Sequence, residues 1–522
     1  MMENERTFRL LPVLVVLVLS SSALFFSSFG INRSFWFDEC CSVEIANASW
    51  AGIIENLKTN AHTPPLYYFL LKIWMALFGA GEAGARSLSA LFYLFSIPPV
   101  YFLGKALFDR KHGVFCACLF LVNPMAVQFA QFARMYSLLS LLAILSTLFF
   151  VQQFYSGQAS KKNWAVYVAV NMAGTFTHYW FFFLLLAHGV AYFLLFSKSS
   201  LKSFALAMLL SIIPFFALWT PILWTQMTNG GTSEIARPGF STLLNTLLIF
   251  WGEGKKAIIL YAVFLMLGCM NVSGRRLKFQ SFQLVKEFFQ QKQVLTLILL
   301  LAVSLGIPWL VSQIKPIYMA TKYPMMVLFA AVMLIGAWLA RLGNQRAVAA
   351  FCLMLLVAVA AGLVMRRLHP PAASVRSATD YLLEHGGRGD ILVLSTSGLG
   401  GTQYYLKRAG AEGHFAQFPF PAEMARHPCW PNLNEWTKSY LENEVDSLVR
   451  RIEASFRTGQ EKIWLLNGHL PKIDTVVKNR LDVRFQPMEE KFLGSSYLPL
   501  RDRLFVYQKK PAGGRPPSGA AN

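Results

Sequence analysis

Apolar runs of about 17–20 residues recur along the first 368 residues, and each is long enough for one helix to cross a bilayer. They stand at 11–29, 86–104, 114–129, 137–154, 163–178, 181–197, 204–223, 256–270, 294–312, 323–340 and 347–365. Backbone inside hydrocarbon must satisfy its own polar groups, so repeated runs of this length predict a polytopic α-helical membrane protein with about eleven transmembrane helices. The stretch 241–251 is too short to cross and is placed in the interface or as a re-entrant piece. Composition agrees: 55% of residues are hydrophobic and 14% charged, outside the range of ordinary soluble chains. Met1 to Gly30 reads as a retained first helix, because no small-x-small cleavage pattern follows it.

The net charge of +21 does not point to nucleic acid, because much of the Lys and Arg falls in short clusters between apolar runs. RTFR at the start, GKALFDRKHG at 104–113, the Lys161-Lys162 pair, SKSSLK at 197–202, GRRLK at 274–278 and RLGNQR at 341–346 all fall on one side, which is therefore cytoplasmic. Alternation puts the stretch 30–85, the QFARMY segment, Thr177–Tyr179, the loop 225–255, the Lys315–Tyr323 segment and everything beyond about residue 368 on the exoplasmic face. A plasma (inner) membrane protein with a cytoplasmic N-terminus is the expectation. The transmembrane domain covers 1–368, with a first exoplasmic loop at 30–85. A small exoplasmic α/β domain covers 369–510, with helices predicted from SVRSATDYLLEHG, TQYYLKRAG and 435–457 and strands from DILVLSTSG and KIWLLNG. The Gly/Pro/Ala-rich tail 511–522 is read as disordered. Gly398, Gly400 and Gly401 are read as a strand-to-helix turn.

Inside the first loop, Asp38 and Glu39 follow Phe35, Trp36 and Phe37, an arrangement that sets two carboxylates near a membrane interface, where ionisation needs a partner or a proton transfer. This pair is the first candidate site. Seven cysteines show no metal-ligand spacing; a bridge from Cys40 or Cys41 to Cys429 is compatible with an oxidising face.

Taken together, FWFDE at 35–39, HTPPLYYFLLKIW at 62–74, ARSLSALF at 85–92, Asn123-Pro124, QFARMYSLL at 131–139, THYWFFFLL at 177–185 and TKYPMMVLFA at 321–330 resemble the GT-C membrane glycosyltransferases of the family 39 type, which include protein O-mannosyltransferases and lipid A aminoarabinose transferases. The resemblance implies a GT-C fold and a polyprenyl-phosphate-linked sugar donor. Its monosaccharide would pass with inversion to an exoplasmic glycan, lipid or protein acceptor. It implies Asp38 as general base, with Glu39 as alternative base or orienter. Arg134 and Lys322, cationic residues at span ends, are expected to bind the donor phosphate, helped by Tyr136 and Tyr323. His62 and His178 are candidate substrate contacts. Relatives commonly carry acids where this chain has Phe132 and Ala61, so a divalent metal lacks hard oxygen ligands and no cofactor is expected. A lipid-linked-sugar transporter or flippase is the competing class, but the unusual residues gather on one face and not at the midplane of paired repeats. A non-catalytic lipid-binding relative is the third reading.

Overall fold

The computed structural model describes residues 30–59, 63–155, 158–196, 198–228, 235–251, 270–273, 276–279, 282–340, 375–395, 398–425, 436–467, 470–492 and 503–510. The expected spans 11–29 and 347–365, most of 256–270, and the tail lie outside them. So does His62.

The stretch expected as an acidic loop is helical. Helix α1 (Phe37–Asn47) begins at the acid pair, α2 (Trp50–Thr59) follows, and α3 (Leu66–Phe78) starts after Pro64-Pro65. Acids in the first turn suit the positive end of a helix, and the Glu39 carboxylate accepts the Trp36 N–H at 3.0 Å, satisfying a donor the helix leaves free. At the other end of α1, the Lys72 ammonium donates to the Ala48 carbonyl at 2.6 Å, a cation at the negative pole. Nine of the eleven residues of α1 are buried, Asp38 and Glu39 among them.

The bundle then runs through α4 (Glu82–Leu107), α5 (Arg110–Leu121), α6 (Pro124–Ala130), α7 (Tyr136–Phe154), α8 (Lys161–Thr175), α9 (Phe181–Leu195), α10 (Leu201–Thr228) and α11 (Phe240–Ile249). After a short hairpin of β1 (Met270–Ser273) and β2 (Arg276–Phe279) come α12 (Phe282–Gln290), α13 (Lys292–Val311), a 3₁₀ turn at Tyr323–Val327 and α14 (Leu328–Leu339). Among the described residues, α4, α7, α10 and α13 are long and apolar enough to cross a membrane, and α5 with α6 makes a fifth, bent by 58°. Proline has no N–H to continue the ladder, and the Asn123 side chain instead accepts from the Met125 and Ala126 amides, so Asn123-Pro124 ends one helix and starts the next. The expected interfacial piece at 241–251 is α11, ten residues long.

α4 packs on α5 and α7, α8 on α7 and α10, and α9 on α13. α4 and α5 approach closely at glycines. A Cβ on Gly113 would stand 2.6 Å from the Tyr101 carbonyl oxygen, and one on Gly104 would stand 2.9 Å from the Gly113 Cα. Small residues allow such backbone contact between helices in lipid. Gly113→Ala is therefore expected to destabilise the chain by about 1–3 kcal/mol through overpacking, read as an earlier thermal transition in detergent. Gly189→Ala, where no heavy atom lies within 4 Å of the new methyl, is the comparison; equal melting of the two variants would refute the close-contact account.

From residue 375 the chain forms α15 (Val375–His385), β3 (Ile391–Ser395), α16 (Gly398–Arg408), β4 (Ala416–Phe420), α17 (Lys438–Ser455), β5 (Ile463–Leu466), α18 (Pro471–Arg484), β6 (Gln486–Phe492) and β7 (Arg503–Gln508). The sheet order is β4-β3-β5-β7-β6, parallel among the first three and antiparallel at β7 and β6. Its hydrophobic core joins β3 and β5 to Leu441, Val445 and Leu448 of α17. The three glycines expected in a turn lie inside α16. A Cβ on Gly401 would meet a Val375 methyl at 2.7 Å, so at that position the missing side chain lets α15 pack close.

Candidate active site

Antiparallel packing collects the start of α4, the end of α6, the start of α7, the α8–α9 turn and the 3₁₀ turn before α14 at one end of the bundle, and α1 lies among them. Arg86, one turn into α4, organises the entry to α1. Its guanidinium holds the Glu39 carboxylate through two bonds, Nε to Oε1 at 2.8 Å and Nη2 to Oε2 at 2.7 Å, with both side chains buried. The same group donates to the carbonyls of Ile31 at 3.0 Å and Ser34 at 2.9 Å, and to that of Arg33. Glu39 also accepts the Ala133 amide at 2.8 Å, which pins the segment before Arg134 to α1. With Arg86, Trp36 and Ala133 all donating to it, Glu39 is saturated.

Asp38 has a different surrounding. Its Oδ2 accepts from the Lys322 ammonium at 2.7 Å, and Asp38 is buried while Lys322 is nearly so. The Lys322 ammonium also lies 4.6 Å from the centre of the Trp36 ring. Burial works against a charged lysine, but the Asp38 carboxylate outweighs it and raises the Lys322 pKa above its ordinary value.

Arg134 enters from the other side. Its Nη1 donates to the Ser42 hydroxyl at 3.0 Å and the Asp38 carbonyl at 3.3 Å, and its own carbonyl accepts from Ser89 at 3.1 Å. The Tyr136 ring centre lies 5.9 Å from its guanidinium carbon. His178, in the α8–α9 turn, accepts the Trp180 amide on Nδ1 at 3.1 Å, so Nε2 carries the proton in the neutral ring. Its ring stands 4.8 Å from Tyr323 and 6.4 Å from Tyr136, centre to centre. Among the described residues, Arg134 Nε and His178 Nε2 are buried donors without an acceptor, as is the nearby Ser137 hydroxyl. Buried polar groups are nearly always satisfied, so donors left over mark where an acceptor-rich ligand fits.

Asp38, Glu39, Arg134, Tyr136, His178, Lys322 and Tyr323 thus come together, as expected from the motifs. Arg86 and Ser42 carried no assigned role. Arg86 had a visible signal: a charged side chain at the head of a long apolar run, one turn after Glu82. Cys40 is a free buried thiol and Cys41 is disulfide-bonded; Cys429, the partner considered from the sequence, lies outside the described residues. Among the described residues no group of three His, Cys, Asp or Glu side chains could hold a metal ion.

Residues 62–224 match the family described as dolichyl-phosphate-mannose-protein mannosyltransferase. The chain also superposes on the crystal structure of ArnT from Cupriavidus metallidurans bound to undecaprenyl phosphate, with a TM-score of 0.59 and 14% identity over 95% of this chain and 98% of that one. The chain shares its fold with this structure. The apo form of the same ArnT gives a TM-score of 0.59 at 13% identity, over 94% of this chain and 97% of that one. The arabinofuranosyltransferase AftD from Mycobacteria gives 0.52 at 12% identity over 95% of this chain, which spans 40% of that longer protein. No curated protein sequence matches. The resemblance to the family 39 group stands, and the apolar helices are those of a multi-pass membrane protein. The matched segment contains Arg86, Arg134 and His178; Asp38 and Lys322 lie outside it.

Proposed function

We propose that this chain is a glycosyltransferase that takes a monosaccharide from a polyprenyl-phosphate-linked donor and places it on an acceptor hydroxyl at the exoplasmic face. The observation that carries this reading is the pair of buried, unsatisfied donors on Arg134 and His178 beside Lys322 and a buried carboxylate. A lipid phosphate supplies the acceptor oxygens such a cluster lacks. The family match at 62–224 supports the same class, and the ArnT structure described with undecaprenyl phosphate supports a lipid-phosphate ligand.

In this reading the donor phosphate draws Lys322 away from Asp38 and seats on Lys322, Arg134 and His178 Nε2, with Tyr136 and Tyr323 walling the pocket. Asp38, released from its ion pair, takes the proton of the acceptor hydroxyl as that oxygen attacks the anomeric carbon. A new carbon–oxygen bond forms while the bond to the phosphate oxygen breaks, and polyprenyl phosphate leaves with its negative charge held by Arg134 and Lys322. Direct displacement inverts the anomeric centre. No divalent metal enters, since these cations neutralise the leaving group. Glu39 orients α1 and takes no part in the proton transfer, because Arg86 and two backbone amides occupy it. The acceptor is a glycan, lipid or protein hydroxyl, and the membrane is the plasma (inner) membrane.

The test is release of polyprenyl phosphate by purified protein offered lipid-linked sugars and acceptors. No release with any donor would overturn the proposal. Arg134→Ala is expected to weaken donor-lipid binding strongly, and Arg134→Lys to recover only part, because an ammonium lacks the planar fork of donors. Wild-type donor binding by both variants would remove Arg134 from the phosphate site.

A further inference from the structure

We propose that the α/β unit from residue 375 onward is a working part of the site, and that Glu82 is the positioning residue through which it holds the segment leading to Asp38. This rests on the transferase reading.

Glu82 opens α4 and is buried. Its partners come from the α/β unit: Arg408 donates to Oε2 at 2.5 Å, the Tyr405 hydroxyl donates to Oε1 at 2.8 Å, and Arg376 also pairs with Oε1. Tyr405 does two things at once, since its oxygen also accepts the Phe35 amide at 2.7 Å. The Arg376 amide donates to the Ser34 hydroxyl at 3.2 Å, and Tyr404 donates to the Ala80 carbonyl at 3.1 Å. The unit therefore grips residues 34–35 and the head of α4, three residues before Asp38.

Glu82 and Arg86 are four residues apart, on one face of α4. Arg86 holds Glu39 and the carbonyls of 31, 33 and 34, while Glu82 holds the α/β unit that satisfies the Phe35 amide. One helix face thus joins the α/β unit to the segment that leads into α1 and the base. Without the unit, the buried Glu82 carboxylate loses three donors and the Phe35 amide loses its acceptor, so the entry to α1 is free to shift. A misplaced base slows the chemical step, and an ångström of error is enough to matter. Arg134, His178 and Lys322 stand on other elements and meet α1 only through Asp38 and Ser42, so donor binding changes less than the chemical step. The effect falls more heavily on kcat than on the donor KM.

The test uses the full-length protein in lipid nanodiscs and the variants Glu82→Gln and Tyr405→Phe. Expected are a kcat about ten- to a hundredfold lower, a donor KM that changes much less than kcat, and faster hydrogen exchange in peptides covering residues 33–38. Arg408→Lys, which keeps the charge, should retain more kcat than Arg408→Ala. If Glu82→Gln does not fold, Tyr405→Phe decides, since it deletes one hydroxyl only. Wild-type kcat and exchange in Tyr405→Phe would overturn the proposal, and so would faster exchange with full kcat. A wild-type protein that transfers no sugar would remove the transferase reading, whereas the exchange measurement would still decide whether Glu82 holds the unit in place.

Discussion

Asp38→Asn should lower the rate of sugar transfer by about 10²–10⁴-fold, the range that general-base catalysis supplies. The amide keeps the size of the carboxylate but cannot take the acceptor's proton. It also leaves the Lys322 ammonium without its carboxylate, 2.7 Å away in the wild type. A buried cation without a counter-charge is costly, so a donor phosphate that provides one should stabilise the variant more than the wild type. The expected result is a slow enzyme with a larger thermal shift on adding donor lipid. Transfer within tenfold of wild type would take the base away from Asp38. Glu39→Gln should fail differently, by loosening α1 and lowering thermal stability.

Arg86→Ala should be the most damaging of the substitutions for stability. It removes one partner of a buried pair, which typically costs about 3–5 kcal/mol because a charge is left behind without compensation. Here it also strips donors from the carbonyls of Ile31, Arg33 and Ser34. Thermal unfolding of the purified variant is the measurement. Replacing both partners, Arg86→Met with Glu39→Gln, should recover part of the loss, since no charge then stays buried alone. A single variant that melts like the wild type would show that the pair is not what holds α1.

Much of this molecule is legible in its sequence, for reasons that also mark the limits. Apolar runs locate α4, α7, α10 and α13 because crossing hydrocarbon needs length and hydrophobicity together. The polar exceptions at span ends, Arg134, His178 and Lys322, stand out against them and meet where the motifs suggest. The helix α1 is not legible, because it is buried on nearly every side and so has no polar face to give a helical period. Glu82 and Arg86 sit in plain view at the head of α4, yet their partners lie 47 residues before Arg86 and as many as 326 after Glu82, and no local pattern connects such distances. The strand β6, with Pro487 near its start and charged residues along an edge, shows little of the alternation that marks a half-buried strand.

The ion pair between Asp38 and Lys322 has a consequence for how the chain is made. The two residues are 284 positions apart. At translation speeds of about 5–20 residues per second, Asp38 emerges roughly 15 to 60 s before its lysine. Until then the carboxylate must remain hydrated or take up a proton, so α1 cannot settle into its buried place while the early helices are inserting. A segment synthesised late, not the early helices, completes the surroundings of Asp38, and a chain released before residue 322 leaves the ribosome with that carboxylate unpaired by its lysine.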